Sequence, residues 1–286
     1  MAIYELHTRP DVADPVLVMS LDGWVDAGLG AATAAAALLT AVETEVVATF
    51  DVDGLLDHRA RRPVVRIVDG VNTGLTWPEL QLRAGRDAAG RSLLLLVGPE
   101  PDHQWRAFCD ATVGLARDFG TRLVAGLGAF PAPVPHTRPC RLAATATSAE
   151  LAAAVGFVPG TLDVPGGVQA ALEQAFAAAG IPAVGLWARV PHYVAAMPYP
   201  EASAALLDGL AKLAGVQVDT ADLHRAGEDT RRRIDELVAN NPEHLQLVSQ
   251  LESQLDAEVQ QGGFGPLPSG DEIAAELERY LRGQSG

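Results

Sequence analysis

From residue 15 to residue 218, short apolar runs of strand type alternate with alanine-rich stretches of helical period. No other feature constrains the fold as much. Strand, helix and strand in succession close as a crossover between parallel strands, so repeating the unit builds a layered α/β domain. Residues 15–21, 46–52, 92–97, 122–127, 142–147 and 183–190 read as strands. The run 92–97, Ser-Leu-Leu-Leu-Leu-Val, is apolar without alternation, the pattern of a strand covered on both faces. Residues 28–42, a helix opening at Asp102 or His103 and ending at Phe119, a helix begun by Ser148, and residues 168–179 and 201–214 supply the helices. Asp69-Gly70, between residues 64–68 and 74–77, marks a hairpin, which brings an antiparallel part. The expected fold is therefore α/β with a mixed, mainly parallel sheet.

The texture changes after residue 218. Residues 219–239 and 242–259 are both helical and are parted by Asn240-Asn241-Pro242, so they read as an αα-hairpin. In the second, Leu245, Val248, Leu251, Leu255 and Val259 form a narrow apolar stripe. Residues 261–268 read as a linker, and Ser269 forms a capping box with Glu272 ahead of Ile273, Leu277, Tyr280 and Leu281. The chain thus divides into an α/β core domain, 1–218, and a C-terminal acidic helical segment, 219–286. The segment holds 14 acidic against 6 basic residues, more than half of the net charge of −15. A stripe with charged flanks needs a surface to cover it. The body of the same molecule is the expected one, with another chain as the alternative.

Charge and composition narrow the function. With 36 Asp plus Glu against 21 Lys plus Arg, the surface repels a polyanion, so no nucleic-acid partner is expected. No apolar run approaches the ~20 residues a membrane span requires. Cys109 and Cys140 share no metal or redox spacing, and the first residues lack the basic and apolar regions of a signal peptide. The expected location is the cytoplasm, with reduced thiols. Glycine-rich phosphate loops and nucleophile elbows are missing from the sequence, so neither a cofactor nor a catalytic class is indicated.

Ligands of open α/β sheets sit where strands end and helices begin, and three such loops carry polar residues. The first, Asp22-Gly23-Trp24-Val25-Asp26-Ala27-Gly28, sets two carboxylates and a tryptophan before a helix. It either holds an anion on exposed N–H groups, or Asp26 caps the helix while Trp24 packs on the core. The second, residues 128–139, contains four prolines that stiffen the presentation of His136, Thr137 and Arg138. These three suit a carboxylate or phosphate, Arg138 supplying the planar fork, or else a subunit contact. The third carries His192 and Tyr193 directly after a strand. His136 and His192 either converge as acid and base or are hydrogen-bonded structural residues. His58, in the one basic cluster at residues 57–63, reads as part of a solvated connection.

The segments Ser20-Leu21-Asp22-Gly23-Trp24-Val25-Asp26-Ala27-Gly28, Pro133-Val134-Pro135-His136-Thr137-Arg138-Pro139 and Val190-Pro191-His192-Tyr193-Val194 resemble the proteasome assembly chaperone 2 family of bacteria and archaea. The resemblance spans most of residues 15–215 and extends into the tail around residues 267–282. It implies a three-layer sandwich of the phosphorylase/hydrolase-like type with a C-terminal helical appendage, a homo-oligomer, often a trimer, and a binding role. Eukaryotic relatives help assemble the α-ring of the 20S proteasome, so proteasome subunits are implied partners. Some archaeal relatives dock through a C-terminal hydrophobic-Tyr-any motif; here Tyr280 is six residues from the last residue, so that docking is not expected. The resulting expectation is a chaperone-like interaction module without catalysis. The alternative is an enzyme acting on a small anionic substrate, with Asp22, Asp26, His136, Arg138 and His192 in one cleft.

Overall fold

The computed structural model describes residues 3–260. Its strands are β1 (Tyr4–Leu6), β2 (Val16–Asp22), β3 (Thr44–Phe50), β4 (Val64–Val68), β5 (Val71–Thr76), β6 (Gln81–Arg86), β7 (Ser92–Pro99), β8 (Leu123–Ala132), β9 (Leu142–Ala146) and β10 (Ala183–Pro191). Its helices are α1 (Gly30–Ala41), α2 (Val52–Leu55), α3 (Trp105–Asp118), α4 (Ala149–Val155), α5 (Val168–Ala178), α6 (Pro200–Ala214), α7 (Ala221–Ala239) and α8 (Pro242–Gln260). Eight strands form one mixed sheet in the order β1-β3-β6-β7-β2-β8-β10-β9. Its centre, β7-β2-β8-β10, is parallel, and antiparallel strands flank it on both sides.

Alternate residues of the central strands feed two separate cores. On β2, Val16 and Val18 pack with Ala31, Ala34 and Leu38 of α1 and Leu206 and Leu210 of α6. Leu17 and Met19 point the other way, onto Phe108 and Val113 of α3 and Leu172 and Phe176 of α5. Both faces are therefore covered, which is why these strands are apolar throughout. The result is the expected three-layer α/β sandwich.

The hairpin at Asp69-Gly70 forms as β4–β5, but it stands apart as a two-stranded sheet of its own. The antiparallel part of the main sheet comes instead from β1, β3, β6 and β9. Strand β6 is weak in sequence because only Leu82 and Ala84 face the core while Gln81 and Arg83 face outward. Strand β8 runs five residues past its expected end at residue 127, through Pro131. Its pairing with β2 stops at Met19↔Gly126, whereas β10 follows it to Pro191↔Ala132. Pro131 thus sits in a stretch with a strand on one side, where a missing N–H is tolerated.

The C-terminal helices pack on their own body. Ile234 and Val238 of α7 and Val248 of α8 join the core that contains α1 and α6, and Leu255 packs on Ala132 and Val134. Leu251 is also buried, whereas Leu245 is 48% exposed. The side chain of Val259, the linker at 261–268 and the capping box of Ser269 with Glu272 lie outside the described residues. Among the described residues no helix is long and apolar enough to cross a membrane.

Candidate functional site

The first loop turns out to serve structure. The Asp26 carboxylate accepts hydrogen bonds from the N–H groups of Ala31 (2.8 Å) and Ala32 (3.0 Å), capping α1 across a short 3-10 turn at Ala27–Leu29. This is the capping use of an N-terminal aspartate. Trp24, by contrast, does not pack on the core: it is 50% exposed and lies over Gly167, where a Cβ would come within 3.0 Å of the indole. Arg61 covers the preceding Gly23, and its guanidinium donates to the Asp22 carbonyl at 3.2 Å.

Around that loop lies a charged cluster the sequence did not signal. Arg61 pairs with Asp102 at 3.3 Å, so the basic segment 57–63 is tied down at this point. Partial burial raises the Asp102 carboxyl, but hydrogen bonds from Asp57 N–H and Arg61 outweigh it and hold the group below the ordinary range. Asp22 is shifted up by loss of solvent and by the neighbouring Asp26 carboxylate, against the pull of Arg61. Glu100, buried beside them, accepts the Val168 N–H at 2.6 Å and so caps α5, whose own N-cap is the side-chain-free Gly167. Burial raises the Glu100 carboxyl; the Val168 hydrogen bond and Arg61 oppose it.

The second and third loops meet at Tyr193. The Tyr193 hydroxyl accepts the backbone N–H of His136 (2.8 Å) and lies 2.7 Å from His136 Nδ1. On the other side of the ring, Nε2 donates to the Asp235 carboxylate at 3.0 Å. His136 is 1% exposed, buried between Tyr193 of the third loop and Asp235 of α7. Burial pushes the Tyr193 hydroxyl up to about 12. Tyr193 stands edge-on to His136 at 5.8 Å and to His192 at 5.4 Å, and His192 Nδ1 faces the Ala132 carbonyl at 3.4 Å.

Thr137 and Arg138 do meet carboxylates, and the chain supplies them itself. Thr137 donates to Glu252, and Arg138 binds Asp256 through Nε (3.1 Å) and Nη2 (2.8 Å) and Glu252 through Nη1 (3.0 Å). The fork holds the Asp256 carboxyl below its usual range. Deeper in, buried Arg189 lies 3.6 Å from Glu258. The cavity left beneath α8, lined by Arg138, Cys140, Arg189, Tyr199 and Leu255 among others, measures about 10 Å³. That is room for one water at most. Burial raises the Cys140 thiol to about 12 and the Cys109 thiol to about 11, so both stay protonated near neutrality.

The expected residues therefore fall into two groups. His136, Thr137, Arg138, His192 and Tyr193 come together with Asp235, Glu252 and Asp256; Asp22 and Trp24 lie with Arg61, Glu100, Asp102 and Gly167. Among the described residues no hydrogen bond or ion pair joins the groups. Asp26 is committed to α1. The first and third loops are stitched by backbone: Gly28 N–H donates to Ala195 (2.7 Å) and Tyr199 N–H to Gly28 (2.8 Å). Gly28 has φ +65°, and a Cβ there would lie 2.6 Å from that of Tyr199. The acidic partners were legible only as a face: Glu252 and Asp256 are four apart on a helix, which aligns them on one side.

Residues 20–238 match the PAC2 family. The chain belongs to the PAC2 family. A Mycobacterium tuberculosis protein of unknown function is 40% identical, with TM-score 0.83 over 91% of this chain and 92% of that one. The M. tuberculosis proteasome-assembly chaperone homologue is 36% identical, with TM-score 0.76 over 82% of this chain and 99% of that one. A Pyrococcus furiosus archaeal proteasome activator, 18% identical with TM-score 0.62 over 83% of this chain and 99% of that one, shares the fold. No curated protein matches the chain. The PAC2 match ends at Val238, before α8. Arg138 and Thr137 thus lie inside the matched region, and their partners Glu252 and Asp256 lie beyond it.

Proposed function

We propose that this PAC2 protein is a chaperone-like protein-interaction module of the cytoplasm that forms a homo-oligomer, a trimer by family resemblance, and engages proteasome subunits. The relationship to the M. tuberculosis proteasome-assembly chaperone homologue supports the partner class. The observation that carries the interaction role is the β4–β5 hairpin. Every residue of both strands is exposed, including Val64 at 70%, Ile67 at 62% and Val71 at 61%. A lone two-stranded hairpin is marginal in water, and an apolar one held away from the body needs a surface to cover it. A second copy of this chain is the occupant we assign to it.

The enzymatic alternative is weaker on the same observations. Arg138, the natural anion clamp, already holds two carboxylates, and His136 is enclosed by Tyr193 and Asp235. A substrate at that point would first have to displace α8.

Light scattering on the purified protein, alone and with proteasome α-subunits, tests the proposal. The expected result is a trimer mass for the protein alone and altered α-ring assembly in the mixture. A strict monomer that leaves α-ring assembly unchanged overturns it.

A further inference from the structure

At the opposite end of the parallel strands from these loops, three arginines surround a hollow of about 230 Å³. Arg122 immediately precedes β8, Arg86 ends β6, and Arg91 immediately precedes β7. Val16, Leu93 and Val216 form its apolar wall, and Asp14 is the acidic residue on its rim.

The side chains of Arg122 and Arg86 are held by carbonyl and hydroxyl oxygens, and among the described residues none of the three arginines forms an ion pair with a carboxylate. Arg122 Nη2 donates to the Ala214 carbonyl (2.6 Å), and Arg86 donates to the carbonyls of Gly90 (3.2 Å) and Asp11 (3.0 Å) and to the Ser92 hydroxyl (3.4 Å). The Arg91 guanidinium lies beside Gly215, where a Cβ would come within 2.7 Å of Nη1. Its backbone is fixed by buried Asp87, which accepts the N–H groups of Ala89 and Arg91 on one oxygen and that of Gln217 on the other, each at 2.9 Å. Among the described residues the Arg91 side chain makes no hydrogen bond, and none of the three pairs with a carboxylate. Elsewhere among the described residues Arg9, Arg61, Arg138, Arg225 and Arg232 each have an aspartate partner, whereas Arg83 and Arg117 also bind neutral oxygens alone.

The geometry points to an anion site here, for a compact phosphate-bearing ligand. Three guanidinium groups from separate points of a rim suit a tetrahedral phosphate, whose oxygens diverge, better than a planar carboxylate, which one fork satisfies. The volume falls below the ~300 Å³ at which pockets for drug-sized ligands begin. It therefore selects a phosphate monoester or pyrophosphate over a dinucleotide. The site is independent of the proposed chaperone role.

Calorimetric titration of the full chain with pyrophosphate at constant ionic strength tests this. Saturable binding is expected, with affinity falling about tenfold or more in Arg91→Gln, the scale of one lost charge-assisted hydrogen bond. Arg91→Gln is the primary variant because the Arg91 side chain holds no structural hydrogen bond among the described residues; Arg122→Ala also uncaps the Ala214 carbonyl, so its folding is checked by circular dichroism. Heats that vanish when sodium chloride replaces buffer at matched ionic strength, or equal affinity in wild type and Arg91→Gln, would overturn the site. Phosphate monoester and pyrophosphate titrated separately distinguish the two sources of the same chemistry.

Discussion

Asp256 grips Arg138 through two parallel hydrogen bonds, of 3.1 and 2.8 Å, across 118 residues of sequence. That pair, with Glu252 on the third guanidinium nitrogen and Asp235 on His136, fastens α7 and α8 over the loop that follows β8. The cluster that sequence reading offers to an external anion is thereby filled from within.

Arg138→Ala should release α8 without unfolding the sheet. Hydrogen exchange followed by mass spectrometry is expected to show loss of protection over residues 242–260 while β2, β7 and β8 stay protected, since stability is distributed in local units. Uniform exchange changes across the chain would contradict this.

Acid should loosen the same contact. Arg138 holds the folded pKa of Asp256 below its ordinary range, so the pair contributes stability that is present above about pH 4, the unfolded aspartate value, and is lost as pH falls through the lower folded value. Limited proteolysis between pH 6 and pH 3 should first cut the α7–α8 connection as pH falls, and Asp256→Asn should remove most of that pH dependence.

Glu100 carries the opposite sign. Its folded pKa is raised, so ionisation costs stability as pH rises above the unfolded glutamate value of about 4.3. Glu100→Gln keeps an oxygen for the Val168 N–H. Thermal melts should find it at least as stable as wild type at pH 7 and without that advantage at pH 4.

Gly28→Ala should destabilise the chain by about 1–3 kcal/mol, from left-handed backbone strain and the clash with Tyr199. Urea unfolding measures it. Gly90→Ala, also at positive φ but with open space around its Cβ position, should cost less.

Neither thiol should react at pH 7.5. With Cys109 raised to about 11 and Cys140 to about 12, the thiolate fraction is small in both. Iodoacetamide labelling of the native protein should be slow at both positions and become fast in denaturant.

The layers of the fold were legible because they follow from local period. Residues 92–97 show the pattern of a strand covered on both faces, Ser148 caps α4 with its hydroxyl on Leu151 N–H as its residue type suggests, and Asp26 takes the capping alternative at α1. Elements that borrow their order from neighbours were not legible. Strand β6 shows two core-facing apolar residues in six, and the extension of β8 through Pro131 exists because β10 runs alongside it.

By itself, then, the sequence determined the α/β layering, the helices α7 and α8 and the family, since periodicity, caps and motifs act over a few residues. Tertiary structure decided what those motifs meet. Whether Arg138 faces solvent, a ligand or Asp256 depends on bringing residues more than a hundred positions apart within hydrogen-bond distance. A charge has no period, and its partner is chosen by packing. The same holds for Arg91, which only the fold leaves without one.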